Sequence, residues 1–188
     1  MDRNTLTAMP ATRRAALQRA LATLALLALP GVARAAAPTV RPWPAGKAAP
    51  GLDLIDLDGK PWRLAALQGR AVMLNFWATW CEPCRAEMPS LELLATRHER
   101  DGLVVVTVNY QESATVIKRF IETLPITLPI LLDSAGAATQ AWTPRVFPTT
   151  VLIDRTGQPV HVVVGEFDWT GAEARALVES LLARPKPA

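Results

Sequence analysis

Both cysteines of this 188-residue chain lie in one five-residue stretch, Trp80-Cys81-Glu82-Pro83-Cys84. Two thiols at this spacing could bind a metal, anchor a haem, close a structural disulfide or trade a disulfide with another molecule. A structural zinc site takes four ligands, and the only histidines, His98 and His161, lack the short spacing of a zinc finger. A c-type haem site requires His directly after the second cysteine, where Arg85 stands. A purely structural bridge would close so small a loop that it stabilises little. Disulfide exchange fits best, because the motif falls where a buried strand gives way to a helix. Thiolate is the reactive form, and the free N–H groups and positive dipole of a helix N-terminus stabilise it. Cys81, just ahead of the first turn, is the sulfur a partner meets; Cys84, one turn in, attacks the mixed disulfide and releases the product. Pro83 suits a first turn, where no N–H is needed.

Those roles require a strand ending near Cys81 and a helix beginning there. Ala71 to Ala78 is a nearly continuous apolar run, as a strand buried on both faces needs. Residues 85–100 then place Met88, Leu91, Leu94 and Ala95 on one helical stripe, stopped by Asp101-Gly102. Leu103 to Val108 predicts a second buried strand. Ser113 to Thr123 predicts a helix with Ser113 as N-cap and Val116, Ile117, Phe120 and Ile121 facing inward. Ile130 to Leu132 reads as a short strand and Ser134 to Trp142 as a short helix. Thr150 to Ile153 and Val160 to Val164 flank the turn chemistry of Asp154-Arg155-Thr156-Gly157. Thr170 to Ala183 closes the series as an amphipathic helix, with Thr170 or Gly171 at its cap. Ahead of them, Leu52 to Leu57 and Lys60 to Leu64 form a hairpin around Asp58-Gly59. The alternation predicts an α/β fold with a mixed central sheet flanked by helices on both faces, preceded by that hairpin.

These elements occupy residues 51–184. Residues 36–50 carry Pro38, Pro42, Pro44 and Pro50 and read as an extended leader, and residues 185–188 as a tail. Residues 1–35 have the three parts of a secretory signal: a basic region ending at Arg19, an uncharged run from Ala20 to Leu29, and the small-x-small sequence Ala33-Arg34-Ala35. Ala35-Ala36-Ala37 is a second cleavage option. That run is short against the roughly 20 apolar residues of a bilayer span, though extension past Arg19 through Ala16 and Leu17 keeps an uncleaved anchor as an alternative. Thr12-Arg13-Arg14-Ala15-Ala16-Leu17-Gln18 resembles a twin-arginine signal with Ala16 in the usual phenylalanine position, so twin-arginine and Sec export both stay open. No cysteine lies near the cleavage point to carry a lipid. The signal holds five arginines against one aspartate, whereas the rest of the chain has 15 basic and 16 acidic residues. The net charge of +3 therefore belongs to a removable segment, which excludes nucleic acid as a partner. The expected destination is the periplasm or bacterial cell envelope.

The stretch from Asn75 to Pro89 resembles the active-site segment of the thioredoxin superfamily, and more narrowly the TlpA/ResA-like thiol–disulfide reductases of the bacterial envelope. Pro89, five residues after Cys84, is similar to the proline that bends the active-site helix in that family. Val146-Phe147-Pro148-Thr149-Thr150-Val151-Leu152-Ile153-Asp154 resembles the second family signature, whose proline is cis. The resemblance runs from about Gly51 to Leu182. It implies a thioredoxin fold with an extra strand–helix insert between Leu103 and Trp142, and a cis Pro148 opposite the dithiol with Phe147 pairing with substrate backbone. Ordinary thioredoxins carry a buried aspartate six residues before the first cysteine; Asn75 stands there, as in TlpA/ResA-like proteins. Glu87 matches the acid those proteins keep near the dithiol, on the same helical face as Cys84. It is the candidate proton acceptor for Cys84, with a pKa raised by partial burial. Glu82 is expected exposed between the thiols and Trp80 as a flat docking face, while Trp77 belongs to the core.

The resemblance implies a reductant of specific envelope disulfides, of the cytochrome c maturation or copper-site type. Its catalytic residues would be Cys81, Cys84 and Glu87, and its substrate-binding residues Trp80, Glu82, Pro83, Phe147 and Pro148. Its partners would be a protein bearing a disulfide or dithiol and a membrane electron carrier that restores the dithiol. A monomer is expected, with no metal and no cofactor beyond the Cys81–Cys84 pair. Two alternatives stay open: a disulfide oxidant or isomerase, and a copper-delivery module that uses the same soft sulfur ligands. A peroxidase lacks the framing proline and threonine around Cys81.

Overall fold

A strand with apolar neighbours on both faces must be nearly apolar throughout, and the chain meets that condition over Ala71–Trp77, where Asn75 is the one polar residue. The computed structural model describes residues 37–143 and 145–184. Its strands are β1 (Thr39–Pro42), β2 (Asp53–Ile55), β3 (Pro61–Arg63), β4 (Ala71–Trp77), β5 (Leu103–Tyr110), β6 (Ile130–Asp133), β7 (Thr149–Ile153) and β8 (Pro159–Val164). Its helices are α1 (Glu82–His98), α2 (Ala114–Ile121), α3 (Ala137–Trp142) and α4 (Ala172–Leu182), with a 3₁₀ turn at Leu64–Leu67. Six strands form one mixed sheet in the order β1-β8-β7-β4-β5-β6, and β2 and β3 form a separate hairpin. β4, β5 and β6 run parallel; β4–β7, β7–β8 and β8–β1 are antiparallel. This is a thioredoxin-like fold.

Every residue of β4 is buried, and successive side chains enter opposite cores, as the period of two demands. Met73 and Trp77 join Val105, Leu152 and Val163 against Met88, Leu91 and Leu94 of α1, Ile117 of α2, and Ala174, Val178 and Leu181 of α4. Leu74 and Phe76 join Val106, Val108 and Val151 on the other face, against Leu52, Leu54 and Trp62 of the hairpin segment and Trp142 of α3. The second face is thus covered mostly by a hairpin and one short helix rather than by a helical layer like the first.

Three expectations need correction. α1 begins at Glu82, ahead of residue 85, because Cys81 caps it and Pro83 fits its first turn. Val116 is 47 % exposed instead of facing inward. α2 is only two turns long, and with Ile117 at the centre of its contact stripe Val116 lies about 100° around the helix. Most consequentially, the leader is not a free extended segment. Thr39–Pro42 adds β1 to the sheet edge beside β8, where Pro42 is tolerated because an edge strand can spare an N–H. The pairing continues as Trp43 N–H donates to Val160 O at 2.9 Å. The Trp43 ring then packs on Trp142 with centroids 5.7 Å apart, and the Lys47 ammonium sits 4.7 Å over Trp43. The expected signal, residues 1–35, and tail, residues 185–188, lie outside the described residues.

Candidate active site

Parallel pairing of β4 with β5 brings their carboxyl ends together, Trp77 opposite Asn109. The loops that leave those ends therefore share one rim of the sheet, where open α/β sheets place their sites. Ala78-Thr79-Trp80 leads from β4 to Cys81, the N-cap of α1. The Cys84 N–H donates to Cys81 Sγ at 3.3 Å, and the Arg85 N–H to Cys81 O at 3.2 Å. The two cysteines are joined as a disulfide. Cys81 is 5 % exposed and Cys84 fully enclosed, so the only sulfur a partner can approach is Cys81. When the pair is reduced, this position at a helix N-terminus favours the Cys81 thiolate.

Cys81 opens on a groove of about 540 Å³ lined by Trp80, Glu82, Pro83, Tyr110, Arg145 and Phe147. Trp80 is 64 % exposed and meets Phe147 edge-on at 5.9 Å, while Tyr110 packs on the same ring at 5.2 Å. The Phe147–Pro148 bond is cis. Glu82 projects into solvent and lies 3.6 Å from the Arg85 guanidinium. The structure thus brings Trp80, Glu82, Pro83 and Phe147 together around Cys81.

Glu87 occupies a different environment. Its carboxyl is buried on the sheet side of α1, where Asn75 Nδ2 donates to one oxygen at 2.6 Å and the Phe167 N–H to the other at 3.1 Å. Asn75 also donates to Thr150 Oγ1 at 3.0 Å, tying the acid to β4 and β7. Burial pushes the Glu87 pKa up to about 8, and the hydrogen bonds from Phe167 and Asn75 offset only part of that rise.

Sequence reasoning passed over three residues. Glu112 receives the Thr79 N–H at 2.7 Å, the Thr79 hydroxyl at 2.5 Å and Asn109 Nδ2 at 2.8 Å. It fastens the loop ahead of Cys81 to the loop after β5. Tyr110 ends β5, and it and Arg145 line the groove. For Tyr110 and Glu112 the one signal is the parallel order of β4 and β5, which places whatever follows β5 beside the cysteines; Arg145, ahead of β7, has none.

The Redoxin family pattern matches residues 43–181. The thiol-disulfide oxidoreductase ResA of Halalkalibacterium halodurans is 34 % identical over 143 residues, 76 % of this chain and 78 % of that protein. Among solved structures, a thiol:disulfide interchange protein of the thioredoxin family from Chlorobium tepidum superposes with a TM-score of 0.64 at 28 % identity, covering 76 % of this chain and 98 % of that one. The exposed lipoprotein thioredoxin of Streptococcus pneumoniae gives 0.61 at 31 % identity over 69 % and 99 % of the two chains.

Proposed function

The chain belongs to the Redoxin family as a TlpA/ResA-like thiol–disulfide oxidoreductase, and from that premise we propose that it is exported to the bacterial envelope and reduces disulfides of specific proteins there. The observation that carries the reducing direction is the charge set on the dithiol's own helix. A strong oxidant is one whose reduced form is stabilised. Here the helix N-terminus favours the Cys81 thiolate, but acidic Glu82 follows it directly and opposes a second negative charge. The one cation on that turn, Arg85, is engaged by Glu82. The reduced pair therefore gives up its electrons readily.

In the reducing cycle the Cys81 thiolate attacks a substrate sulfur, and Cys84 must then lose its proton to resolve the mixed disulfide. Glu87, one turn beyond Cys84, has a pKa of about 8, close to the roughly 8.5 of an ordinary thiol. Its ionised form, which grows as the pH approaches 8, is therefore the acceptor for the Cys84 proton. Proton transfer between matched groups is nearly free of thermodynamic cost. A membrane electron carrier restores the dithiol, and no further cofactor takes part. Export is supported by the basic, apolar and small-x-small order of residues 1–35. The cytochrome c maturation or copper-site class of substrate rests on resemblance to the TlpA/ResA-like reductases.

The test is the reduction potential of the Cys81–Cys84 couple, measured against glutathione or dithiothreitol. The reading expects a value near the roughly −270 mV of thioredoxin; one near the roughly −120 mV of DsbA assigns the oxidising role instead. Cys84→Ser, which leaves the mixed disulfide on Cys81 unresolved, traps the substrate for identification.

A further inference from the structure

The groove beside the disulfide is uneven in charge. Trp80, Tyr110 and Phe147 supply an aromatic wall, and Glu82 and Arg145 are the charged side chains that line it. Glu82 has its counter-charge in Arg85. Arg145 is exposed, and among the described residues its guanidinium makes no ion pair and no hydrogen bond; only its backbone is engaged, the N–H donating to Thr143 Oγ1 at 3.0 Å. That backbone sits at φ 59, in the left-handed region that non-glycine residues seldom adopt. Strained positions of this kind gather at ligand clamps and active sites, where the surrounding structure holds them. A cation thus stands at the groove that Cys81 opens on, with no carboxylate among the described residues to answer it.

Building on the reading of this groove as the seat of a disulfide-bearing protein, we propose that Arg145 sets substrate specificity. The preferred target segment carries an Asp or Glu within a few residues of the cysteine that Cys81 attacks. Arg145 takes no part in the electron flow. The Cys81 thiolate attacks one target sulfur, the target disulfide breaks, and the other target sulfur leaves as a thiolate that is protonated by water. Cys84, deprotonated, then attacks Cys81 Sγ, forms the Cys81–Cys84 disulfide and releases the first target thiol. Two electrons pass from the dithiol to the target. The Arg145 guanidinium, the aromatic wall and Cys81 together recognise an acidic, partly apolar segment, since complementary charge raises the rate of productive encounter.

A competing role for the same cation is to stabilise the Cys81 thiolate, which would hasten attack on every target alike. The two roles separate in one experiment. The full chain is reduced with dithiothreitol, freed of it, and mixed in single turnovers with three disulfide-looped peptides that differ only in Asp, Asn or Lys two positions from the attacked cysteine. The Asp peptide is expected to be reduced about fivefold faster than the Asn peptide, near the upper limit for an exposed ion pair, and the Lys peptide slowest. The advantage shrinks in about 0.5 M salt, where the screening length falls to a few ångströms. Arg145→Glu reverses the order. Equal rates for the three peptides overturn the proposal while leaving the oxidoreductase intact, as does an Arg145→Gln variant that slows all three by one common factor. Failure of every peptide to oxidise the dithiol rejects the docking reading on which the proposal rests, and the proposal with it.

Discussion

Glu87 is a carboxyl group with 2 % exposure, and its proton is bound far more tightly in the folded chain than in the unfolded one. With a folded pKa of about 8 against an ordinary value of 4.5, the native state holds the extra proton throughout that interval. The stability linked to that proton is therefore complete below about pH 4.5 and is lost as the pH rises through about 8. Each pKa unit corresponds to about 1.4 kcal/mol, so the loss is on the order of a few kcal/mol. Urea unfolding of the oxidised protein from about pH 5 to pH 9 should show a falling midpoint, and Glu87→Gln, neutral at every pH, should flatten it. The same substitution should remove the Glu87 inflection from the pH profile of disulfide exchange. A midpoint that stays level in the parent protein contradicts the raised pKa; a profile untouched by Glu87→Gln removes the proton-transfer role.

At the scale of elements, what was legible in the sequence was what neighbouring residues settle among themselves. Cys81, Pro83 and Cys84 share one turn, Ser113 caps its own helix by accepting the Val116 N–H at 3.4 Å, and β4 announces itself by being apolar on both faces. Glu112, Tyr110 and Arg145 were not legible, since their roles arise only when separate loops converge on one rim. The pairing of the leader is hidden for the same reason: its proline content is local, but its partner β8 lies at the far end of the domain. Gly136 shows how an element far from the cysteines in sequence still bears on the site. It caps α3 at φ 72, and a Cβ there would meet Gln111 Nε2 and the Tyr110 ring at 2.8 Å. The left-handed conformation alone costs a residue with a Cβ about 1–2 kcal/mol, and relieving the contact would displace the Tyr110 ring, which packs on Phe147. Gly136→Ala should therefore lower stability by at least that amount in urea titrations and also slow exchange with a peptide disulfide. Loss of stability with full peptide exchange would mean that Tyr110 does not transmit the strain.

On the scale of the whole molecule, the sheet has one face sealed by three helices and another sealed by lighter pieces, and the leader closes the lighter side. β1 covers the otherwise open edge of β8, and Trp43 lies against Trp142, which is 1 % exposed at the base of α3. Trp142 also reaches Gly51 O through its indole N–H at 3.3 Å, so the second core is pinned from both ends of the segment between β1 and the hairpin. A chain that starts at Gly51 keeps every element of the sequence-predicted domain yet loses β1, Trp43 and Lys47. The loss removes one large, partly buried aromatic and its ring pair, worth about 2–4 kcal/mol together, and bares four residues of β8 backbone to edge-to-edge pairing. Compared with a chain that starts at Ala37, the shorter one should unfold at lower urea by that amount and self-associate on concentration. Its Cys81–Cys84 reduction potential should be unchanged, since no residue of the segment 37–50 lines the groove beside Cys81. Equal stability of the two chains would return residues 37–50 to the status of a linker and leave the second core to the hairpin and α3 alone.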